Sequence, residues 1–391
     1  MRVQLVDPSA FTPPYDRALA AALARGGADV ELLTSRFLYG PVPEPQGYRV
    51  RECFYRRTAT RGLDASGRRA FKAAEHLPDM LRLRRQIDAD VVHYQWLTMP
   101  ALDARLLPPQ RPRLITAHYV LPPQPSRRQV SGARRLFGSM DAVVAHSEHG
   151  AARLRKEVDL DPARIRVIPH GAFDYFTRLP EEKPLPVELE GGEGPVILFF
   201  GLLRPYKGLD TLLRAFRELK GAELWIVGNP RMDLGPLHRL AAEAPGRVRF
   251  VSRFVEDAEV PAIFRRADLL VLPYRDAEQS GVLYTGLAFG KPLVLSTVGG
   301  FPEVATTGAA RLVPPEDPAA LAGALEELVG DPETRESLAA AATRAAAGPY
   351  SWDSVAQQTL LLYEELLDRA PSRRSGAPFV PQRSTRRGGS R

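Results

Sequence analysis

Residues 195–216 read PVILFFGLLRPYKGLDTLLRAF. The stretch begins with a short apolar run that ends at Gly201, and it continues into a helical pattern with Leu212, Leu213 and Phe216 on one face. A strand followed at once by an amphipathic helix is the repeating unit of a doubly wound parallel sheet. This stretch therefore predicts an α/β fold.

The same alternation of apolar runs and helical patterns extends in both directions. In the first half of the chain the predicted strands are residues 3–7, 29–34, 90–94, 113–119, 141–147 and 164–170. In the second half they are residues 195–201, 222–228, 247–254, 267–274, 292–298 and 309–314. The pattern predicts two doubly wound, Rossmann-like domains.

The polar segment LPEEKPLPVELEGGEGP interrupts the alternation and is predicted to be a linker. The predicted organisation is a first domain at 1–178, the linker at 179–194, a second domain at 195–350, a C-terminal helix at 351–368 and a tail at 369–391. We expect the C-terminal helix to pack back towards the first domain. The tail is rich in arginine and poor in apolar residues, which predicts disorder.

Composition excludes several classes of protein. The single cysteine, Cys53, excludes an internal disulfide and has no zinc-type partners in its spacing. The N-terminal MRVQLVDPSAF enters a strand pattern directly, and the apolar runs reach about half of the roughly 18 residues that a membrane span requires. We therefore expect a soluble, cytoplasmic protein.

The formal charge of +7 comes from the first half of the chain and from the tail. Residues 49–85 hold eleven Lys/Arg and four acids, and a helix there would place Phe71, Leu77, Met80 and Leu83 near a basic rim. Such a helix suits an anionic membrane surface on the inner face of the membrane, although an ordinary solvated helix has the same composition. Nucleic acid is not expected, because no basic motif is interleaved with aromatic residues.

Histidines follow several predicted strands of the first domain at their carboxyl ends, where open α/β sheets bind ligands. They are His93, His118, His146 and His170. Each could simply satisfy loop carbonyls, and a metal site is disfavoured because no carboxylate or cysteine shares their spacing. The third interpretation is a cleft that hydrogen-bonds a polyhydroxylated ligand.

Two cations lie between the first strand and first helix of the second domain. Arg204 and Lys207 follow Gly201, three residues apart, where a di-anion such as a pyrophosphate would bind. Two solvated basic side chains are the alternative interpretation.

The stretch DAEQSGVLYTGLAFGKP, residues 276–292, predicts a helix that begins at Ser280 and Gly281. Backbone N–H groups of a first helical turn are free to bind an anion. The Asp-x-Asp pairs at 88–90 and 159–161 precede a strand or lie in a loop, so we expect neither to bind metal.

Taken together, these motifs resemble family 4 of the glycosyltransferases. The resemblance covers nearly all of residues 1–365 and is carried, in order, by HGAF, FGLLRPYKGLDTLLRAF, ELWIVGNP, RRADLLVLPY, AFGKPLVLSTVGGFPEV and SWDSVA. It implies the GT-B fold, in which two Rossmann-like domains face each other across a cleft. It also implies a retaining, metal-independent transfer of a sugar from a nucleotide diphosphate sugar, which is a substrate rather than a cofactor.

The resemblance implies roles for individual residues. His118 matches an active-site histidine near the reacting sugar, and Arg204 and Lys207 match catalytic residues that hold the donor diphosphate. The other implied donor-binding residues are Gly201, Arg253, Phe254, Glu278, Ser280, Gly281, Val282, Leu283 and Thr285. The implied acceptor or cleft residues are Tyr15, Asp16, His93, His118, His146 and His170.

The chain departs from the family pattern at two places. The slots of the usual Glu-x7-Glu motif fall on Ala277 and Thr285, and Glu278, one position from the first slot, could substitute for the missing carboxylate. The first loop reads Pro-Pro-Tyr-Asp at 13–16 instead of Gly-Gly. Donor and acceptor recognition are therefore expected to differ from those of relatives.

Three functions remain open from the sequence. The favoured one is a glycosyltransferase that uses a sugar, lipid-linked or small-molecule acceptor in polysaccharide, glycolipid or other glycoconjugate biosynthesis. A GT-B pseudoenzyme that binds a nucleotide or a partner without transfer is the second. A different GT-B enzyme, such as a nucleotide-sugar epimerase or a phosphorylase, is the third.

Overall fold

The computed structural model describes residues 1–38, 40–59, 65–110, 112–192 and 194–369, and it arranges them in two parallel sheets with helices between the strands. The prediction of an α/β fold with two doubly wound units is confirmed. The predicted disordered tail lies outside the described residues, apart from Arg369.

The first sheet contains seven strands. They are β1 (Arg2–Asp7), β2 (Asp29–Ser35), β3 (Arg49–Phe54), β4 (Val91–Tyr94), β5 (Arg113–Thr116), β6 (Ala142–Ala145) and β7 (Ile165–Val167). The accompanying helices are α1 (Pro13–Arg25), α2 (Arg56–Ala59), α3 (Ala65–Gln86), α4 (Pro100–Leu106), α5 (Arg127–Gly138) and α6 (Glu148–Val158). The strand order β3-β2-β1-β4-β5-β6-β7 reverses direction between β1 and β4, so a crevice opens at the carboxyl ends of these two strands.

The second sheet contains six strands. They are β8 (Val196–Phe200), β9 (Glu223–Val227), β10 (Arg247–Val251), β11 (Leu269–Leu272), β12 (Leu293–Ser296) and β13 (Ala310–Val313), in the order β10-β9-β8-β11-β12-β13. The helices are α7 (Leu209–Phe216), α8 (Gly235–Ala242), α9 (Val260–Arg266), α10 (Gly281–Ala288), α11 (Phe301–Ala305), α12 (Pro318–Gly330), α13 (Pro332–Ala347) and α14 (Trp352–Arg369). The strand order reverses between β8 and β11, and the loop with Arg204 and Lys207 follows β8.

Strand β3 was not predicted. Its sequence RVRECF mixes charged and apolar residues without a regular period, and it forms one edge of the first sheet. Arg49 pairs with Asp29 at 3.0 Å and Arg51 pairs with Glu31 at 2.8 Å, both on the neighbouring strand β2. The ion pairs form only when the two strands lie side by side. The segment was missed because it lacks the apolar run that identified the buried strands.

The C-terminal helix α14 packs on α1 of the first sheet. Arg25 of α1 donates to Asp353 at 2.6 Å, and the hydroxyl of Tyr363 lies 2.7 Å from Nδ1 of His93. At the start of the helix, Trp352 donates its indole N–H to the carbonyl of Ala172 at 2.7 Å. Helix α14 therefore stabilises the first domain.

Helix α3 differs from the predicted membrane-facing arrangement. Met80 and Leu83 are buried in the core of the first domain, because the inner face of the helix covers the sheet. Phe71, Leu77 and Leu81 are the exposed large apolar residues of the helix. Among the described helices, none combines the length and the apolar character that crossing a bilayer requires.

Candidate active site

The carboxyl ends of the two sheets face each other across a cleft. After β7, the ring of His170 stacks on Tyr284 of α10, with ring centroids 4.2 Å apart. The backbone N–H of Phe173 donates to the carbonyl of Tyr284 at 3.3 Å. The beginning of α10 therefore borders the first domain, and residues from both sheets line one space.

Lys207 is a buried cation on the second side of the cleft. Only 7% of the residue is exposed, and it has no ion-pair partner among the described residues. Its Nζ lies 4.9 Å from the centre of the Tyr274 ring, a cation–π contact that compensates part of the lost hydration. Arg204, in the same loop, is exposed and is likewise unpaired within the described chain. Two cations thus remain available for an anionic ligand.

The backbone of this loop is fixed by glycine. Gly208 has φ of +69°, and a Cβ atom on it would lie 1.9 Å from the carbonyl oxygen of Pro273, at the end of β11. The loop after β8 can pack this closely against the end of β11 only without a side chain at this position. The close approach holds Lys207 beside the first turn of α10.

The first turn of α10 directs free N–H groups towards the same place. Ser280 is the N-cap residue but its side chain does not cap the helix, and the N–H groups of Gly281 and Val282 have no acceptor among the described residues. A Cβ atom on Gly201 would lie 3.0 Å from the Val282 side chain and 3.2 Å from Nζ of Lys207. Gly201, Lys207 and the helix start are therefore immediate neighbours, as an anion site requires.

The remaining predicted donor residues have different surroundings. Arg253 forms a bidentate ion pair with Glu259 at 2.7 and 2.9 Å, and the neighbouring Phe254 ring is exposed. Leu283 is fully buried in the core of the second domain. Thr285 donates its hydroxyl hydrogen to the carbonyl of Gly281 at 3.0 Å, within the helix. The hydroxyl of Thr285 thus bonds to a backbone carbonyl of α10, at the position where the family motif has a carboxylate.

Three of the four strand-end histidines of the first domain surround Tyr15. The Tyr15 ring centroid lies 4.6 Å from that of His118, 5.4 Å from His146 and 4.8 Å from His170. His93 lies deeper, where its Nε2 is 2.8 Å from the hydroxyl of Thr116. The sequence predicted that these residues line the cleft. The structure brings three of the histidines against Tyr15, and it buries Tyr15 and His93 almost completely.

Burial keeps the histidines of this cluster neutral. It lowers the pKa of His93 to about 3 and the pKa of His146 to about 4. Burial, together with the other histidines nearby, also holds the pKa of His118 and of His170 well below the usual value. At neutral pH the cluster offers hydrogen bonds but no positive charge.

Neutral rings fix the direction of a hydrogen-bond chain. The carbonyl of Ile168 can only accept, so Nδ1 of His146, 3.0 Å away, carries the proton of that ring. Nε2 of His146 therefore accepts from Nδ1–H of His118 at 3.3 Å. The atom of Gln95 nearest to Nε2 of His118 is Oε1, at 3.1 Å, and the amide nitrogen of Gln95 is buried without a partner among the described residues. Turning this amide by 180° places its –NH₂ group against the unprotonated Nε2 of His118, which then accepts from it. Both nitrogens of His118 are occupied, which leaves it without a free basic nitrogen.

Asp16 lies beneath the cleft rather than on its surface. Asp16 and Asp7 are both buried and share a hydrogen bond between their carboxyl groups. Burial and the negative charge of Asp7 raise the pKa of Asp16 well above its usual value, and burial also raises the pKa of Asp7. Asp7 accepts the N–H groups of Ser9 and Phe11 at 3.0 and 2.6 Å. The pair holds the loop that follows β1.

Glu278 joins the two domains. Its carboxylate accepts the N–H of Val120 at 3.0 Å and forms an ion pair with Arg153 of α6. Arg153 also pairs with Glu157 at 2.7 Å. Burial raises the pKa of Glu278 to about 7, against the opposing effects of Arg153 and the Val120 N–H. To contact a donor sugar, as the sequence suggested, Glu278 would have to leave these partners.

Glu303 makes a second contact between the domains. It lies in the VGGFPEV segment, and its two carboxylate oxygens accept the N–H groups of Glu148 and His149 at 2.9 and 3.0 Å. Those N–H groups belong to the first turn of α6, so a carboxylate of the second domain caps a helix of the first. Glu303 thus contacts the first turn of α6, and Glu278 contacts Arg153 further along the same helix.

Two residues of the site were missed by the sequence reasoning. Trp96 follows β4 by two positions and stacks on His118 with centroids 4.7 Å apart, and its place after a predicted strand could have identified it. Arg153 lies on the amphipathic helix α6, where nothing in the sequence distinguishes it from a solvated arginine. Within the described ranges, no group of His, Cys, Asp and Glu side chains is arranged to hold a metal ion.

Comparison with protein families gives two matches. Residues 17–172 match the model described as Glycosyltransferase Family 4, and residues 194–331 match the one described as Glycosyl transferases group 1. The two matched segments correspond to the two sheets and to the two sides of the cleft.

Curated relatives give the same assignment. A D-inositol 3-phosphate glycosyltransferase of Xylanimonas cellulosilytica is 30% identical over 395 residues, with 92% of this chain and 92% of that protein covered. One of Jonesia denitrificans is 31% identical over 262 residues, which cover 62% of this chain and 61% of the relative.

Solved structures share the fold at lower sequence identity. A sucrose-phosphate synthase from Thermosynechococcus elongatus matches with a TM-score of 0.72 and 20% identity, covering 94% of this chain and 99% of that one. Anabaena Alr3699/HepE in complex with UDP matches with a TM-score of 0.69 and 17% identity, covering 94% and 100%. These likenesses show the two-domain architecture.

Proposed function

The chain belongs to glycosyltransferase family 4, has the GT-B fold and is a glycosyltransferase, and from that premise we propose that it transfers a sugar from a nucleotide diphosphate sugar to an acceptor hydroxyl with retention of configuration. The observation that carries the proposal is Lys207. A cation that is 93% buried and unpaired within the described chain is costly, unless an anionic ligand occupies the space beside it.

The positive groups act on the leaving group. When the bond between the sugar and the diphosphate breaks, negative charge grows on the departing phosphate oxygen. Lys207, Arg204 and the N–H groups of Gly281 and Val282 then interact more strongly with the transition state than with the intact donor. Gly208 holds the loop of Lys207 against the end of β11, and the two N–H groups are part of α10, so these donors need little reorganisation when the substrate binds.

The acceptor proton needs a destination, and the histidines are poor candidates. Both nitrogens of His118 are already hydrogen-bonded, and the cluster stays neutral because of burial. The departing phosphate oxygen is the remaining base close to the acceptor hydroxyl. Proton transfer to that oxygen, on the face that the leaving group vacates, is compatible with retention.

UDP is the first donor nucleotide to test. The structure of Alr3699/HepE holds UDP, and the named activity of the curated relatives uses D-inositol 3-phosphate. Ala277 and Thr285 replace the two carboxylates of the family motif, so this chain holds the donor sugar and ribose by other contacts. The donor sugar and the acceptor of this chain are therefore to be determined by experiment rather than taken from the relatives. We propose that the product is a polysaccharide, glycolipid or other glycoconjugate.

The transfer is proposed to be independent of metal, since Lys207, Arg204 and the α10 N-terminus supply positive charge at the diphosphate. Turnover in the presence of EDTA is the check. A requirement for a divalent cation would contradict this part of the proposal.

Helix α3 is proposed to contact an anionic membrane surface. Its exposed Phe71, Leu77 and Leu81 lie among basic residues that include Arg84 and Arg85, the combination that favours the interface of an anionic bilayer. Cosedimentation with phosphatidylglycerol vesicles should decrease in Leu77→Glu/Leu81→Glu. Equal binding of this variant, or no binding by the unaltered protein, would contradict the contact.

The experiment that tests the proposed function follows the sugar by NMR. The protein is incubated with UDP-glucose and a panel of sugar and inositol phosphate acceptors, and we expect an α-linked product. The double variant Arg204→Met/Lys207→Met should lose at least about 100-fold in turnover while remaining folded. A β-linked product would contradict retention, and a changed donor sugar without transfer would indicate an epimerase.

A further inference from the structure

Three rings lie in contact in a row along the carboxyl edge of the first sheet, and we call this row the stack. Phe11 follows β1, Trp96 follows β4 and His118 follows β5, and these three strands are neighbours in the sheet. The Phe11 and Trp96 ring centroids are 4.4 Å apart with planes tilted by 34°, and those of Trp96 and His118 are 4.7 Å apart with planes only 8° from parallel. The stack begins at His118 and ends at Phe11.

The outer ring of the stack is open to solvent. Phe11 is 59% exposed, whereas Trp96 is half-buried. Phe11 follows β1 at the carboxyl edge of the sheet, where open α/β sheets bind ligands, so its exposed ring lies where a ligand ring could cover it.

The loop that carries Phe11 is held rigidly. Buried Asp7 accepts the N–H groups of Ser9 and Phe11, and Ala10 between them has φ of +47°, a conformation that non-glycine residues adopt only when their surroundings impose it. The next residue, Thr12, accepts the indole N–H of Trp96 at 2.9 Å. The backbone that carries Phe11 is therefore held at several points, and its ring rests against Trp96.

We propose that the exposed face of Phe11 is the acceptor subsite and that it stacks a ring with an apolar face, either a pyranose or an aryl group, on the acceptor. The inference rests on the proposed function, because His118 is taken to lie near the reacting sugar. A ring placed on Phe11 continues a stack whose spacing is already 4.4 to 4.7 Å. Aromatic rings and the C–H faces of sugars both suit such a surface.

The test measures binding of defined probes to the UDP-loaded protein by ligand-observed NMR titration. The probes are p-nitrophenyl β-D-glucopyranoside, methyl β-D-glucopyranoside and myo-inositol 1-phosphate. We expect Phe11→Ala to weaken binding of the ring probe about five- to tenfold and Phe11→Trp to restore it. Equal sensitivity of both glucosides identifies a pyranose on Phe11, and sensitivity of the nitrophenyl glucoside alone identifies an aryl ring.

Leu361→Ala is the matched control, since Leu361 is also 59% exposed but lies on α14. It should change neither probe nor nucleotide binding. The inference is overturned if neither glucoside binds, if Phe11→Ala binds both as the unaltered protein does, or if only the inositol phosphate binds and does so independently of Phe11. Loss of UDP affinity in Phe11→Ala would also overturn it, by showing a structural role. The proposed function is tested separately, by UDP affinity in Lys207→Met.

Discussion

At the scale of single residues, Lys207 and Lys291 make a contrasting pair. Lys207 has no hydrogen-bond acceptor among the described residues, whereas Nζ of Lys291 donates to the carbonyl of Ala267 at 2.7 Å and to that of Arg265 at 3.2 Å. Both residues have long apolar stems that methionine reproduces. The two lysines therefore differ in how their charge affects the free energy of unfolding of the ligand-free protein.

Lys207→Met should leave the ligand-free protein as stable as before, or stabilise it by up to about 2 kcal/mol, because the substitution removes a buried charge without a partner. Lys291→Met should instead destabilise by about 1 kcal/mol, because two carbonyls lose their donor. Urea unfolding of both variants measures the free energies. Clear destabilisation by Lys207→Met would show that Lys207 is a structural residue.

Glu278 should make stability depend on pH. Burial raises its pKa from the usual 4.5, which applies to the unfolded chain, to about 7, so the folded protein binds the proton more tightly than the unfolded chain does. The stabilisation is complete below pH 4.5 and is lost as the pH rises towards 7, up to about 3 kcal/mol. The free energy of unfolding of Glu278→Gln should lack this component. Parallel pH profiles for the two proteins would contradict the assignment.

Sequence reasoning located some residues of the site and could not locate their partners. Lys207 and the histidines were found because ligands bind at the carboxyl ends of parallel strands. The contact of Glu278 with Arg153, 125 positions apart, depends on how the domains meet. The burial of Asp16 against Asp7 depends on the side chain turning inwards at the first turn of α1. No local pattern encodes either contact.

At the scale of elements, the start of α6 depends on the other domain. Ser147 accepts the N–H of Gly150 at 3.0 Å, and Glu303 accepts the N–H groups of Glu148 and His149. The helix therefore has one cap from its own domain and one from the second domain.

Glu303→Ala should accelerate amide hydrogen exchange at Glu148 and His149 and lower the free energy of unfolding by about 1 kcal/mol. Exchange at Gly150 should change little, because Ser147 still caps that N–H. Unchanged exchange at Glu148 and His149 would show that the contact is not maintained in solution.

Elements with a strong local signal were predicted, and those without one were not. Strands such as β8 are continuous apolar runs, which a sheet buried on both faces requires. Strand β3 was missed because its stabilising partners Asp29 and Glu31 lie on another strand. In α3, the composition identified a basic helix but did not show that Met80 and Leu83 face the core.

At the scale of the whole molecule, two doubly wound sheets meet at their carboxyl edges, and α14 returns to the first of them. The pattern of strands and helices predicted the two sheets. The contacts between the sheets, through Glu278, Glu303 and the His170–Tyr284 stack, could be seen only in three dimensions. The cleft between the sheets is where Lys207 lies unpaired, and the proposed transfer depends on that cleft binding a diphosphate.

The most direct measurement of that claim is the affinity for UDP by isothermal titration calorimetry. The account predicts that the unaltered protein binds UDP and that Arg204→Met/Lys207→Met binds it at least about 100-fold more weakly, since two charge-assisted contacts are lost. The double variant should unfold at a urea concentration no lower than the unaltered protein does, so that the loss is one of binding. Equal affinity of the two proteins for UDP would contradict the account.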